Sequence, residues 1–205
     1  MARYTGPRLR KMRALDCDLP GLSPKRAERR PYPPGQHGNN RRVKKASDYK
    51  RQLVERQKLR FNYGVTESQL RRIVLKARHM KGRADENILA LLEGRLDNIV
   101  FRAGFAPTIP AARQLVVHGH ILVDGKRLDR PAAHLKPGAE LSVREASRGI
   151  PTLLSTWAAP KYERPNWLSV DAPSMKAKLT TTPDAQSCLL AVTTSLVIEH
   201  YASRV

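Results

Sequence analysis

Cysteine is all but missing from this 205-residue chain, with only Cys17 and Cys188 present. Two thiols close at most one bridge and cannot supply a four-thiolate metal site, so the expectation is a pair of reduced thiols. No apolar run approaches the roughly 20 residues of a membrane-crossing helix. The basic N-terminus has no apolar stretch behind it, which argues against a secretory signal. Internal repeats, glycine-rich nucleotide loops and a helix-turn-helix reading head are also missing, and no serine, cysteine or lysine stands in a recognisable nucleophile setting. Acidic residues are scarce, 18 Asp plus Glu against 38 Lys plus Arg, for a formal net charge of +20 and a pI near 10.7.

That surplus is the main positive feature. It attracts a polyanion and repels itself in the free protein, which points first to nucleic acid and second to an anionic membrane surface. It is also lopsided. Residues 1–62 hold 18 Lys or Arg against 5 Asp or Glu, whereas residues 171–205 hold three of each. The length and a hydrophobic fraction of 40% allow real cores in one or two domains.

Residues 1–46 read as an irregular basic arm, broken by Gly6, Pro7, Pro20, Gly21 and Pro33-Pro-Gly35, with apolar residues too sparse for a core. Within Arg29-Arg-Pro-Tyr-Pro-Pro-Gly-Gln-His-Gly38, Tyr32 and His37 offer faces for a base or ribose. A disordered tail with incidental charge is the competing reading of the arm's composition. Ser47 can cap a helix to about Asn62, ended by Gly64 and rich in Lys50, Arg51, Arg56, Lys58 and Arg60. Thr66 and Gln69 form a capping box for a second helix. Its apolar stripe is Leu70, Ile73, Val74 and Ala77, with Arg71, Arg72, Lys76 and Arg78 turned elsewhere. A third helix spans about Asp85 to Ala103, with a break and a domain boundary at Glu93-Gly94.

Pro110 suits the first turn of the next helix and Gly119 its end. Asp124-Gly125 between aliphatic runs is a hairpin signal, and Lys136-Pro-Gly138 turns the chain into Leu141 and Val143. The stretch 95–143 is thus helix, helix, hairpin and strand. The helix ends at Arg113, His118 and His120 and the hairpin tip at Lys126 and Arg127 gather cations on a small surface. Beyond Ser147 turns are scattered, and Leu189 to Tyr201 has enough aliphatic residues for a strand or short helix that folds back.

His118 and His120 lie two apart around a glycine without cysteine or paired carboxylate, which is not metal spacing. They either donate to phosphate or ribose or cap their own helix. Asp97 has no second titrating partner in the sequence, so a salt bridge or an orienting contact to an arginine is expected rather than acid–base work. Arg95, at i−2, does not share its helical face, and Arg102 approaches only loosely.

Met1-Ala-Arg-Tyr-Thr-Gly-Pro7, the 29–38 run, Ser47-Asp-Tyr49, Gln57-Lys-Leu-Arg60, Tyr63-Gly64, Leu92-Glu-Gly-Arg-Leu-Asp-Asn98, Ala112-Arg-Gln-Leu-Val116, His118-Gly-His-Ile121 and Leu196-Val-Ile-Glu-His-Tyr201 together resemble the family of bacterial small-subunit ribosomal protein number four. The 95–143 stretch alone resembles its small RNA-binding module, which also occurs in pseudouridine synthases, a heat-shock protein and a tyrosyl-tRNA synthetase. The resemblance implies a primary binder of 16S-type ribosomal RNA that nucleates assembly of the subunit body and contributes to translational accuracy. It implies small-subunit proteins five and twelve as neighbours. Some relatives repress their own messenger, so messenger RNA is a candidate further partner, but repression is not carried over to this chain. Certain relatives carry a four-cysteine metal knuckle in the arm. Here Leu9, Met12 and Ala27 occupy that neighbourhood with only Cys17 nearby, so neither zinc nor an iron–sulfur cluster is expected.

The resulting expectation is an α+β protein, cytoplasmic and in the small ribosomal subunit, with no cofactor, no metal, no catalytic residue, no membrane and no small-molecule substrate. Its parts are a basic arm (1–46), a mostly helical domain (47–93 plus about 185–205), an inserted helix–helix–β-hairpin RNA-binding module (94–157) and a connecting segment (158–184). The RNA-binding residues expected are Arg3, Tyr4, Arg8, Arg29, Arg30, Tyr32, His37, Arg41, Arg42, Lys44 and Lys45 in the arm. In the helices they are Lys50, Arg56, Lys58, Arg60 and Arg71, and in the module Arg95, Arg113, Gln114, His118, His120, Lys126 and Arg127. An RNA-modifying enzyme is the first rival, but only about sixty residues follow Val143, too few for a synthase domain. A membrane-surface protein is the second, for which the 47–62 helix lacks an aromatic side.

Overall fold

The computed structural model describes residues 4–26, 28, 30–36, 38–39 and 46–202, and it is a mixed helix-and-strand protein. The chain divides into two compact units, residues 1–88 with 189–205 and residues 89–188.

In the first unit, α1 (Arg8–Leu15) is followed by a turn through Leu22, and Met12, Leu15, Leu19 and Leu22 are all at most 5% exposed. The expectation of a coreless arm fails over this stretch. Met12 and Leu15 lie on α1, whereas Leu19 and Leu22 are buried from the turn after it, so no single periodic stripe marks this small core. Gly21 donates its backbone N–H to Asn62 Oδ1 at 2.8 Å, tying the arm to the end of α2 (Asp48–Asn62). Ser47 caps α2 by accepting from Lys50 N, and the Thr66–Gln69 capping box starts α3 (Glu67–His79). α8 (Thr194–Ala202) packs along α2, and so the tail does return. Glu55 holds that return, accepting from Lys58 Nζ at 2.6 Å and from Thr193 N at 2.8 Å. Glu67 Oε1 accepts from both Arg56 Nη1 and Tyr201 Oη at 2.7 Å. Burial and the Glu67 carboxylate push the Tyr201 phenol well above its usual range.

The third helix breaks at the expected Glu93-Gly94, giving α4 (Ala84–Glu93) and, after Gly94, α5 (Leu96–Ala103). Two first-turn amides of α5 are satisfied by a passing strand-like segment, Leu96 N donating to Ala133 O at 2.8 Å and Asp97 N to Pro131 O at 3.0 Å. α6 (Ile109–Val117) follows, capped by Thr108 with Pro110 in its first turn. Then come β1 (Ile121–Val123), β2 (Lys126–Arg127), β3 (Glu140–Val143), α7 (Pro151–Ala158), β4 (Leu168–Asp171) and β5 (Lys176–Leu179). The strands form one antiparallel sheet in the order β2-β1-β3-β5-β4. The pleat puts Ile121 opposite Val143, Leu141 opposite Ala177 and Leu168 opposite Leu179, all buried in the core.

Residues 158–184 are therefore more than a connection, because they complete the sheet that the hairpin begins. Trp157 stacks on Phe105 with ring centroids 4.5 Å apart and donates its indole N–H to Ala172 O at 3.0 Å. The β4–β5 ribbon was hard to read because Lys176-Ala-Lys-Leu179 offers few apolar residues, and its pairing partner β3 lies far back in the chain.

Candidate nucleic-acid interface

In the second unit, the end of α6 sets most of the expected contacts on one surface. Gln114 and His118, four apart on the helix and thus on one face, are both exposed, as is Val117 at 42%. Gly119 takes φ +73°, ends the helix and admits Arg127. A Cβ at that position would lie 2.6 Å from Arg127 Nε, so the guanidinium covers the glycine. There the positive charge faces the carbonyl end of α6, which favours a cation. Asp124 (φ 48°) and Gly125 (φ 74°) make the tight turn that projects exposed Lys126 and Arg127.

His120 is half-buried, its Nδ1 2.8 Å from Ser147 Oγ and its ring 5.9 Å from that of His118. Arg144, exposed just after β3, donates its N–H to His120 O at 2.9 Å and joins the surface, although its place in the sequence gave no sign of this. The His120 pKa is lowered, first by burial and then by the positive charges of His118 and Arg144. A histidine depressed in the folded state binds fewer protons there than in the unfolded chain. Its stabilising contribution is complete above the unfolded value near 6.5 and is lost as pH falls through the lower folded value. Thermal unfolding between pH 7 and 5 should therefore show a midpoint falling with acidification, and His120→Asn should flatten that part of the slope. An unchanged slope in the variant rejects the assignment.

Arg95 and Arg113 do not join this surface. Arg95 is 3% exposed and grips the fully buried Asp97 side by side, Nε to Oδ1 at 3.0 Å and Nη2 to Oδ2 at 2.8 Å. The sequence expectation that Arg95 could not face Asp97 rested on helical spacing, and Arg95 is outside the helix. It caps α5 with extended backbone (φ −74°, ψ 141°), so i−2 geometry does not apply. Arg113 reaches Asp97 Oδ2 from α6 at 2.7 Å, and its side chain is 11% exposed. Arg102 turns to Ser187 O at 2.7 Å and lies 3.8 Å from Glu93. Asp97 is thus a structural counter-charge that clamps α5 to α6.

In the first unit the expected cations divide into spent and available ones. Arg56 and Lys58 are held by Glu67 and Glu55, with side chains 12% and 16% exposed. Arg8 donates to Leu22 O at 3.1 Å, although it remains exposed. Tyr4 stacks edge-on with Phe61, and Lys11 lies over both rings. Tyr32 is covered by the Arg13 guanidinium at 5.0 Å, so that face is already occupied. Arg60 is half-buried and 5.8 Å from the Phe61 ring centroid, while Arg30, Lys50 and Arg71 are exposed. Arg3, Arg29, His37, Arg41, Arg42, Lys44 and Lys45 lie outside the described residues.

Among the described residues no group of three or more His, Cys, Asp or Glu is placed to hold a metal ion. Burial pushes the Cys17 thiol up, with Lys58 opposing the shift and Glu55, Asp18 and Asp16 adding to it. A raised thiol is a poor metal ligand and a slow nucleophile at neutral pH. Cys17 should alkylate more slowly than a free cysteine peptide at pH 7 and catch up only at alkaline pH. Metal analysis of the purified protein should find no stoichiometric zinc or iron, and finding either would overturn the expectation.

With the geometry in place, comparison with known proteins is direct. The family described as Ribosomal protein S4/S9 N-terminal domain matches residues 3–93, and that described as S4 domain matches residues 94–141. Small ribosomal subunit protein uS4 of Methylobacillus flagellatus is 50% identical over 204 residues, covering all of both chains. Protein uS4B of Nitrosomonas europaea is 47% identical over 204 residues, and uS4 of Synechococcus elongatus is 49% identical over 207, again with full coverage. No helix among the described residues is long and apolar enough to cross a membrane. Identity at this level over the whole length leaves one conclusion: the chain belongs to the uS4 family of small ribosomal subunit proteins.

Proposed function

We propose that this chain is a structural constituent of the small ribosomal subunit that grips folded ribosomal RNA by phosphate neutralisation and shape, without turnover. The observation that carries the reading is the cluster at the end of α6. Gln114, His118 and His120 offer amide and imidazole groups beside the Arg127 guanidinium at Gly119, with the Arg144 charge acting on His120, on a chain of formal net charge +20. The guanidiniums suit phosphates, and the amide and imidazole groups suit an unstacked base or a ribose, a combination found in irregular RNA rather than in uninterrupted duplex.

On this reading the RNA-binding module opens a second unit, residues 89–188, that is inserted in a mostly helical unit led by the basic arm, and the protein is an early binder that nucleates assembly of the subunit body and influences decoding accuracy. Small-subunit proteins five and twelve are its neighbours on this reading, and messenger RNA is only a candidate ligand. Filter binding tests the core claim, with small-subunit ribosomal RNA expected to bind far more tightly than an unrelated RNA of equal length. Equal affinity for the two sinks it. The arm is best tested by charge rather than by deletion, because a cut after residue 46 would also remove the buried Met12, Leu15, Leu19 and Leu22. Changing Arg41, Arg42, Lys44 and Lys45 to Gln should weaken binding to ribosomal RNA without lowering the unfolding midpoint.

A further inference from the structure

α3 carries a row of cations that no carboxylate among the described residues pairs with. Leu70, Val74 and Ala77 are buried, so Ser68, Arg72, Lys76 and His79 stand on the opposite side, with Arg71 and Arg78 exposed together on one flank of the helix. Some exposed cations elsewhere are neutralised locally: Arg26 by Asp18, Arg51 by Asp48, Arg83 by Asp85 and Glu86, and Lys176 by Glu140. Among the described residues no ion pair reaches Arg71, Arg72, Lys76 or Arg78.

Like charges one turn apart destabilise a helix, so such a row is costly unless an anion covers it. Arg72 and Lys76 are separated by about 6 Å along the axis, and Arg71 and Arg78 by about 10 Å. That makes a strip roughly two turns long. α3 contains no phenylalanine, tyrosine or tryptophan, so only His79 and the guanidinium planes could stack a base, a poorer platform for single-stranded RNA than an aromatic row. Guanidinium and ammonium groups only donate, which fits phosphate oxygens. Side chains cannot read the deep, narrow major groove of an RNA duplex, so a paired segment is met through its backbone.

We propose that the outward side of α3 is a docking strip for the phosphates of a paired RNA segment, recognised without regard to sequence. The proposal rests on the RNA-binding reading above and adds Arg72, Lys76 and Arg78 to it.

The test compares the native full-length chain with the triple variant Arg72→Gln, Lys76→Gln, Arg78→Gln. The ligands are a fully paired RNA hairpin and an unstructured single strand of equal length, measured over a series of salt concentrations. Glutamine keeps helix propensity, so the unfolding midpoint should not drop. Duplex affinity should fall about tenfold to a hundredfold, with the salt slope reduced by about 2 to 3. The charge-preserving variant Arg72→Lys, Arg78→Lys should keep most of the affinity. An unchanged duplex affinity and slope overturns the strip, and if native binding to small-subunit ribosomal RNA persists, the broader reading stands without it. An equal loss on the single strand, or a loss in the lysine variant as large as in the glutamine variant, overturns it as well.

Discussion

Asp97→Asn lowers the stability of the protein by about 3–5 kcal/mol, the typical penalty for removing one partner of a buried ion pair. The carboxylate accepts from Arg95 Nε and Nη2, from Asn98 N at 3.0 Å, and from Arg113 Nε and Nη2 at 3.2 and 2.7 Å. Each neutral hydrogen bond contributes only about 0.5–1.5 kcal/mol net, so lost bonds alone do not set the size of the effect. Most of the cost comes from two guanidiniums, 4% and 11% exposed, left facing one another with no counter-charge. Arg113→Met is the informative companion. It leaves Asp97 paired with Arg95 and costs less, about 1.5–3 kcal/mol for a charged hydrogen bond. Urea unfolding of both variants decides the matter: a cost below about 1 kcal/mol for Asp97→Asn, or a larger one for Arg113→Met, shows that Asp97 is not the hub.

Between 50 and 200 mM salt, affinity for small-subunit ribosomal RNA falls by about three to five decades if about 6–10 phosphates are neutralised. The exposed cations on α2, α3, the hairpin tip and Arg144, with those of the arm, can supply that number. Arg56, Lys58, Arg95 and Arg113 are already held by carboxylates and add little. Recognition chiefly through Gln114, His118 and His120 would be far less sensitive to salt, because neutral hydrogen bonds release no counterions. Titration at several salt concentrations separates the two, and a slope near zero rules out phosphate neutralisation as the main source of affinity.

Much of the local structure is legible along the chain because its signals act over a few residues. Ser47, the Thr66–Gln69 box, Pro110 and Gly119 mark helix ends where the structure has them, and Asp124-Gly125 makes the expected turn. These are hydrogen bonds and dihedral preferences within one turn, which tertiary context seldom overrides. α1 was hard to read, since only Met12 and Leu15 of its eight residues are buried and Leu19 and Leu22 join that core from the turn beyond it.

By itself the sequence determined the polyanion class of partner, the helix starts, the hairpin and the family, all of which follow from charge count, local spacing and residue identity. Only the tertiary structure decided which cations are left to bind. Arg95 and Lys126 look equivalent as letters, yet one is 3% exposed against Asp97 and the other projects from a turn. Likewise Arg144 meets His120 only because β3 pairs with β1, and residues 168–179 join the sheet only because β5 pairs with β3. A charge is available to a ligand when no nearer carboxylate has taken it, and nearness across tens of residues is a property of the packed chain.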